Sequence, residues 1–362
     1  MSNVKAPTAQ QLEAAFKGGL LGFSTMSEYR EESKEMTKHG FLVEGLLPRG
    51  GSSALGAKAK TGKSSMSRQL SVCVAKGQGT FLNRSVQQGT VLYYALEGGG
   101  EIIDHFNSLG LTDADPLRMF HHVMPKGLGM LHLKMCLERI SDVVLVVVDT
   151  LYKFVNVTDA NAYTENVNAL EELTQIVRAH PNHPHLLTLH HLKKRDVEDS
   201  IDGFLGSSAI GAGVDTCLYL RKQKGGNGVR TMSCDMRWDT TGHSAFPETQ
   251  LEWNADNRTC TFGRCVEEVE TEQACLANER VEQAVIDYIT AHPLCSKDEV
   301  ESAVSGYAPR KRSVIQQLLD SGVLIGARTN ERGRPYRLRM MDIVYEDAKQ
   351  LVTTGQPGYI AA

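Results

Sequence analysis

Long apolar segments are missing from the sequence. No run of apolar residues approaches the roughly 18 that a membrane-spanning helix needs, and the first residues, MSNVKAPTAQ, lack the apolar centre of a secretion signal. Paired cysteines are missing as well. Eight cysteines are scattered without a C-x-x-C pair, and the spacing of the two nearest, Cys260 and Cys265, suits neither a zinc knuckle nor a redox motif. These absences argue against a membrane protein and predict free thiols in the reducing cytoplasm.

The chain also lacks a basic excess. It carries 39 lysines and arginines against 43 acidic residues, a net charge of −4, so any contact with nucleic acid has to be local. Hydrophobic residues make up 41% and charged residues 23%, which is typical of a globular protein. A length of 362 residues is enough for two domains.

Near-continuous apolar runs alternate with helical segments in the middle of the chain. The runs GTVLYYALE, VVLVVVDT and HLLTLHH are typical of strands buried on both faces of a mainly parallel sheet, and the alternation predicts the α/β fold class. Shorter runs after Gly213 predict antiparallel strands. We therefore expect an N-terminal arm (1–40), an α/β domain (41–265), an acidic linker (266–276), a small domain (277–345) and a C-terminal tail (346–362).

The stretch ALGAKAKTGKSS (54–65) indicates a phosphate-binding loop. A strand, a tight loop and Gly-Lys-Ser at a helix start direct backbone N–H groups at an anion. Ala57 stands where the G-x-x-x-x-G-K-[ST] pattern has its first glycine, and a single added methyl is tolerable there. Lys63 adds a charge toward the β- and γ-phosphates and Ser64 can bind Mg²⁺, so the expected ligands are ATP and Mg²⁺. The residues expected to hold the nucleotide are Ala59, Lys60, Thr61, Gly62, Lys63, Ser64 and Ser65.

Two acidic residues follow buried strands. Asp149 ends VVLVVVD, where a second contact to Mg²⁺ is needed, and the alternative is an aspartate that caps a turn. Glu97 ends VLYYALE, where it can polarise a water for attack on the γ-phosphate, and the alternative is a glutamate that faces solvent.

These motifs occur in the order and spacing of a known family. Segment 41–263 resembles the RecA-like ATPases, especially the RepA-type plasmid hexameric helicases and, more distantly, the DnaB replicative helicases, through the glycine loop, VLYYALE, VVVDT, LLTLHH and GSSAIGAGVD. The resemblance implies a RecA-like core with Asp149 as the Walker B acid and Glu97 as the catalytic base. It also implies that His190 or His191 senses the γ-phosphate, and His191 is preferred because it adjoins the following loop.

The resemblance implies an arginine donated by a neighbouring subunit. The family pattern is K-x-R before a hairpin turn, and the matching segment here is CDMRWDTTG. Asp235 replaces the lysine and Arg237 keeps the arginine, while Arg221 and Lys222 are the alternatives. The departure at Asp235 argues against a version with two cations.

Several segments are candidates for DNA binding. In RecA-like rings two loops face the channel, and here they correspond to 192–208, with Lys193 and Lys194, and to 124–130, with Lys126. The small domain resembles a winged helix, because three helices, one of them opened by a Ser296–Glu299 capping box, precede a hairpin. Its stretch 310–339 has eight basic and two acidic residues, a local excess of six positive charges in an acidic chain. The residues expected at DNA are Lys193, Lys194, Arg310, Lys311, Arg312, Arg332 and Arg334. Pairing with a protein is the alternative role of the small domain.

Taken together, the sequence predicts an ATP-dependent ring motor that acts on DNA. The resemblance favours a replicative helicase of a plasmid, phage or other mobile element, as a homo-oligomer, most simply a hexamer. Its expected partners are single-stranded DNA, duplex DNA, and a replication initiator or primase. The alternatives are a loader, recombination mediator or replication regulator with the same ATPase, or a DNA-binding regulator switched by nucleotide.

Overall fold

The computed structural model of the chain describes residues 40–125, 127–155, 163–192, 209–223, 228–237, 246–329, 336–341 and 351–352, with Met26, Ser27 and Arg30 near the N-terminus. The chain divides into two compact units, Met1–Val266 and Glu267–Ala362. The predicted arm and tail lie almost entirely outside the described residues, as do Lys126 and most of the predicted channel loop 192–208.

The first unit is built from strands that alternate with helices, as the apolar runs predict. Its strands are β1 (Phe41–Val43), β2 (Leu47–Pro48), β3 (Ser52–Ala57), β4 (Thr80–Phe81), β5 (Arg84–Ser85), β6 (Thr90–Ala95), β7 (Leu117–Phe120), β8 (Val143–Asp149), β9 (His185–His191), β10 (Thr216–Lys222), β11 (Arg230–Met236), β12 (Phe246–Trp253) and β13 (Cys260–Cys265). Its helices are α1 (Lys63–Lys76), α2 (Glu101–Ser108), α3 (Gly129–Arg139), α4 (Leu151–Val155), α5 (Tyr163–Arg178) and α6 (Ala209–Gly213).

Nine of these strands form one sheet in the order β13-β12-β11-β10-β3-β9-β8-β6-β7. The six from β10 to β7 in this order are parallel, and the remaining three extend the sheet in antiparallel fashion. Every residue of β3, β6 and β8 is buried, because helices cover both faces of the sheet. The expected mainly parallel α/β sheet is therefore confirmed, with an antiparallel extension at one side.

Each face of the sheet has its own apolar cluster. One contains Met66 and Leu70 of α1 together with Tyr93, and the other contains Leu133 of α3 together with Tyr94. Consecutive residues of β6 thus face opposite layers, as the two-residue period of a strand requires. Helix α1 ends at Gly77, which adopts the left-handed conformation (φ 60°) that favours glycine.

The second unit contains three helices followed by an antiparallel hairpin. These are α7 (Val266–Ala291), α8 (Lys297–Ala303), α9 (Ala308–Asp320), β14 (Leu324–Thr329) and β15 (Tyr336–Met340), and β16 (Leu351–Val352) adds to β14. The capping box of Ser296 and Glu299 is confirmed. The element order is the predicted one, and the interpretation as a winged helix stays a prediction.

The structure of the segment predicted as an acidic linker differs from that prediction. Residues 266–276 belong to α7, whose 26 residues run without interruption into the helix predicted for the small domain. The stretch contains no glycine or proline, and four of its eleven residues are glutamates, which favour helix at exposed positions, so local propensity explains the difference.

The lack of long apolar runs and of paired cysteines in the sequence can be compared with the structure. No helix among the described residues is long and apolar enough to cross a bilayer. All eight cysteines lie among the described residues, and each is a free thiol.

A buried histidine ties the glycine-loop strand to its neighbour β9. His185 is completely buried; its Nδ1–H donates to the carbonyl oxygen of Pro48 at 2.8 Å, and its Nε2 accepts from Ser53 Oγ at 2.8 Å. Burial lowers the pKa of His185 from 6.5 to about 4. The neutral imidazole is therefore the form that the folded core accommodates.

We expect this histidine to make the first unit less stable in acid. The folded-state pKa lies below the unfolded one, so the stabilisation is complete above pH 6.5 and is lost as the pH falls toward 4. Between pH 7 and pH 5 the free energy of unfolding should fall by about 2 kcal/mol on this account. Urea unfolding at both pH values should show a smaller fall for His185→Gln, and the exposed His121→Gln should behave like the parent. An equal fall in His185→Gln and the parent would contradict the assignment.

Candidate active site

The carboxyl ends of four parallel strands bring the predicted site residues to one edge of the sheet. The glycine loop follows β3, and the strand register pairs Ala57 with His191 and Ala95 with Asp149. Glu97 comes two residues after the end of β6. Residues predicted separately from three sequence motifs therefore meet around the glycine loop.

The loop has the shape that exposes backbone N–H groups. Lys60 (φ 60°) and Gly62 (φ 118°) both adopt positive φ, and Thr61 Oγ1 donates to the carbonyl oxygen of Lys58 at 2.8 Å. A Cβ on Gly62 would lie 2.6 Å from a ring carbon of Trp253, so both conformation and space require glycine there. Helix α1 begins directly afterwards at Lys63 without a side-chain cap at Gly62, and the first N–H groups of a helix have no partner within the helix itself.

Ala57 is accommodated because it belongs to the strand rather than to the turn. It is the last residue of β3, is fully buried, and accepts a hydrogen bond from the backbone N–H of Leu192 at 3.1 Å. The departure from the glycine pattern therefore leaves the turn itself unchanged.

Lys63 and His191 lie in direct contact. Lys63 Nζ is 3.3 Å from His191 Nδ1. Burial and the nearby lysine lower the pKa of His191, and burial also lowers the pKa of Lys63, against the opposing charges of Asp149 and Glu97. A neutral imidazole that accepts from the ammonium group fits both shifts. The neighbouring His190 is buried and packs edge-on against Tyr152 at 4.4 Å between ring centroids, so of the two histidines His191 is the one that contacts the loop lysine.

Asp149 has the surroundings of a metal-contacting carboxylate. Its side chain is buried; Oδ2 accepts from Tyr93 Oη at 3.1 Å, while Oδ1 has no hydrogen-bond partner among the described residues. Burial raises its pKa, opposed by the hydroxyls of Ser64 and Tyr93 and by the charge of Arg68. A buried carboxylate oxygen without a partner, beside the Ser64 hydroxyl, fits Mg²⁺, which prefers oxygen ligands.

Glu97 stands at the open side of this edge. Its Oε1 accepts from Thr150 Oγ1 at 3.2 Å and lies 3.7 Å from Lys153 Nζ, and its side chain is 39% exposed. The carboxylate is therefore held in place and still reachable by water, which are the two properties that a general base requires.

The sequence did not indicate the wall opposite the glycine loop. Lys60, Gly62, Lys63, Ser64 and Ser65 share a cleft of about 550 Å³ with side chains from the antiparallel part of the sheet. Those side chains are Arg230, Trp253, Ala255 and Arg258. Among the described residues the lining has four cationic side chains and no acidic one, so the cleft suits a polyanion with a planar group.

Arg230 and Trp253 form a stacked pair against the loop. The Arg230 guanidinium lies 4.0 Å from the centroid of the Trp253 ring, and its Nε donates to the carbonyl oxygen of Thr61 at 2.8 Å. The β12–β13 hairpin is held onto α1 by Gln69, whose amide exchanges two 2.9 Å hydrogen bonds with the backbone of Cys260. No local pattern marks these residues, because 169 residues separate Arg230 from Thr61 in the sequence.

Arg237 lies at the opposite edge of the sheet from the glycine loop. Its backbone N–H donates to the backbone carbonyl oxygen of Asp215. The backbone N–H of Asp215 in turn donates to the carbonyl oxygen of Ser52, at the beginning of β3. Strand β11 has seven residues, so Arg237 is about 20 Å from Arg230 at the loop end. Arg237 therefore cannot contact phosphates bound to the loop of its own chain.

Arg221, the alternative arginine, has a different position. It follows Leu220, the register partner of Ala57, so it lies at the same edge as the chain's own loop. Its guanidinium donates to Ser233 Oγ at 2.8 Å and stacks on the Tyr219 ring at 5.2 Å.

The expected DNA contacts of the second unit need one correction. Lys311 is buried, and its Nζ donates to the backbone carbonyl oxygens of Glu301 and Val304, so it serves the fold and is not available to DNA. Arg312 is exposed and pairs with Glu301 at 2.9 Å, and Arg310 is half-buried.

The other four DNA candidates lie outside the described residues. They are Lys193, Lys194, Arg332 and Arg334.

The first unit is similar to known proteins in part of its sequence and in its fold. Residues 26–197 match a family described as AAA domain. The solved structure "ATPase Domain of G40P" has a TM-score of 0.51 at 10% identity, over 66% of this chain and 99% of that chain. "Crystal structure of the RadB recombinase" has a TM-score of 0.43 at 15% identity, over 59% of this chain and 91% of that chain. No curated protein shows significant similarity to the sequence. With its loop, sheet order and fold likeness, the first unit has the fold of a RecA-like P-loop ATPase.

Proposed function

We propose that this protein hydrolyses ATP between neighbouring subunits of a ring and uses the energy to move single-stranded DNA, as a replicative helicase of a plasmid, phage or other mobile element. One observation carries the proposal. Within one chain, Arg237 lies far from the glycine loop and from the Asp149 and Glu97 carboxylates beside it. A second copy is needed to bring the arginine to the phosphates. Closed rings, here most simply a hexamer, supply that arrangement at every interface.

The residues of the chain have distinct roles in this reaction. Lys63 and the loop N–H groups bind the β- and γ-phosphates. Ser64 and Asp149 would hold Mg²⁺, which would supply positive charge against the phosphates. Glu97 accepts the proton of the attacking water, and His191, in contact with Lys63, responds to the γ-phosphate. The neighbour's Arg237 stabilises charge on the transferred group.

DNA binding rests on cations of both units in this proposal. Lys193 and Lys194 would line the channel, while Arg310, Arg312, Arg332 and Arg334 would contact phosphates through the second unit. A replication initiator or a primase is the kind of protein that would load such a ring. The family resemblance of the motifs and the local positive charge support this part.

Two activities measured together test the proposal. ATP turnover should increase with protein concentration as subunits assemble, should increase further with single-stranded DNA, and should accompany displacement of a strand from a forked duplex. Turnover stimulated by DNA without displacement would favour a loader, recombination mediator or regulator. Tight duplex binding with negligible turnover would favour a nucleotide-switched regulator, and neither binding nor turnover would overturn the proposal.

The salt dependence of DNA binding tests the second unit. Changing Arg310, Arg312, Arg332 and Arg334 together to glutamine should weaken the dependence of log K on log salt by a slope of about 3.5, because about four phosphate contacts are lost. Lys311 is left intact, since its removal would open the packing between α8 and α9. Lys297→Gln, an exposed cation of the same unit, is the matched control. An unchanged slope in the fourfold variant would assign the second unit to a protein partner.

A further inference from the structure

Two adjacent tyrosines of β6 are buried on opposite faces of the sheet. Tyr93 and Tyr94 are 0% and 2% exposed, and each packs edge-on against a phenylalanine. The Tyr94 hydroxyl lies 3.1 Å from His132 Nδ1, in the layer formed by α3 and α4. The Tyr93 hydroxyl lies in the other layer, under the first turns of α1. The two tyrosines therefore differ mainly in the groups that their hydroxyls contact.

The Tyr93 hydroxyl joins the glycine-loop helix to the Walker B strand. It lies 3.1 Å from Asp149 Oδ2 and 2.9 Å from Ser67 Oγ. An ionised carboxylate can only accept, so the phenol proton goes to Asp149 and the phenol oxygen remains as an acceptor for the Ser67 hydroxyl. The Ser67 hydroxyl has one proton, and the carbonyl oxygen of Ser64, 3.1 Å from Ser67 Oγ, is a second acceptor for it, so the chemistry fixes the direction of the Tyr93–Asp149 bond alone.

The Tyr93 hydroxyl and the nearby Ser64 hydroxyl both act on the Asp149 carboxylate, and the Tyr93 contact is the one that engages Oδ2. With Oδ2 held by the phenol, the other oxygen, Oδ1, is buried and has no partner among the described residues. A carboxylate that rotates freely would expose either oxygen, whereas the hydrogen bond selects one. Outer partners of metal-contacting carboxylates commonly have this effect on ligand geometry and affinity.

We propose that Tyr93 is a positioning residue: its phenol holds Oδ2 of Asp149 so that Oδ1 faces the divalent cation bound with the nucleotide. The inference rests on the proposed nucleotide site and adds to it a residue that touches neither nucleotide nor metal. Its role is to set the cation affinity of the loaded site, while the affinity of the loop for metal-free nucleotide depends on Lys63 and the backbone N–H groups.

Calorimetric titration of the full-length protein with ADP, at a series of Mg²⁺ concentrations, tests the proposal. Tyr93→Phe should require about 10-fold more Mg²⁺ for half of the Mg²⁺-dependent gain in ADP affinity, with metal-free ADP affinity unchanged. Tyr94→Phe is the matched control, because it removes an equally buried hydroxyl from the same strand on the opposite face. Mn²⁺ bound in the presence of ADP, followed by electron paramagnetic resonance, should show the same difference.

Asp149→Asn supplies the background that separates positioning from a general loss of structure. If Tyr93 acts through the carboxylate, Tyr93→Phe should cause no further loss of Mg²⁺ dependence in the Asp149→Asn protein. Equal Mg²⁺ requirements in Tyr93→Phe and Tyr94→Phe would overturn the positioning role, and so would additive losses in the double variant. A parent protein that does not bind ADP with Mg²⁺ would instead overturn the proposed function.

Discussion

Arg237→Ala is expected to lower ATP turnover by about 10³-fold while leaving ATP affinity nearly unchanged. The reason is geometric: the arginine lies at the edge of the sheet opposite to its own glycine loop, so its removal leaves the loop, Asp149 and Glu97 of the same chain intact. A 10³-fold loss corresponds to about 4 kcal/mol of transition-state stabilisation. Steady-state turnover and equilibrium binding of a nonhydrolysable ATP analogue, measured on the same preparation, separate the two effects.

Arg221→Ala is the comparison variant for this experiment. Arg221 contacts Ser233 and Tyr219 of its own chain, so its loss should have a small effect on turnover. The reverse order, with Arg221→Ala inactive and Arg237→Ala active, would reassign the arginine.

Mixing variants tests whether the arginine acts across an interface. Subunits with Arg237→Ala and subunits with Glu97→Gln are each defective, yet a mixed interface can combine Glu97 from one chain with Arg237 from the other. Co-assembly should therefore restore part of the activity. Confirmed co-assembly without recovery would contradict action between subunits.

Glu97→Gln is expected to bind ATP with Mg²⁺ normally and to hydrolyse it at least about 10²-fold more slowly. The amide keeps the size of the side chain and can still accept from Thr150 Oγ1, which lies 3.2 Å from the native carboxylate. It cannot take a proton from water at neutral pH. Single-turnover hydrolysis, which excludes product release from the rate, measures the chemical step directly.

Two further variants locate the defect. Lys63→Ala should lose nucleotide affinity, because the lysine binds the phosphates rather than the water. Glu101→Gln should retain turnover, because the Glu101 carboxylate accepts from the Gly99 backbone N–H at 3.1 Å and is committed to the turn before α2. Near-normal turnover in Glu97→Gln, with a defect in Glu101→Gln, would transfer the role of base to Glu101.

The second unit shows where counting charges in the sequence goes wrong. The stretch 310–339 has an excess of six positive charges, but Lys311 is buried against backbone carbonyl oxygens and Arg337, also buried, pairs with Glu299 at 3.1 Å. The sequence around Lys311 does not indicate that its side chain is buried and donates to backbone carbonyl oxygens at the end of another helix. The count therefore overstated the surface charge.

The sequence by itself determined the alternation of buried strands and helices, the glycine loop at the start of α1, and the position of Asp149 at a strand end. These features depend on residues close together in the chain, through strand and helix periodicity and through the conformational needs of a tight turn. Only the tertiary structure decided that Tyr93 meets Asp149, that Arg230 and Trp253 close the cleft, and that Arg237 lies away from its own loop. These relations depend on the order and register of nine strands. The hydrogen bond of Arg230 to Thr61 in the loop, for example, joins residues 169 positions apart. No local pattern encodes them, because the free energy that selects the strand order comes from packing the whole sheet between its two helical layers.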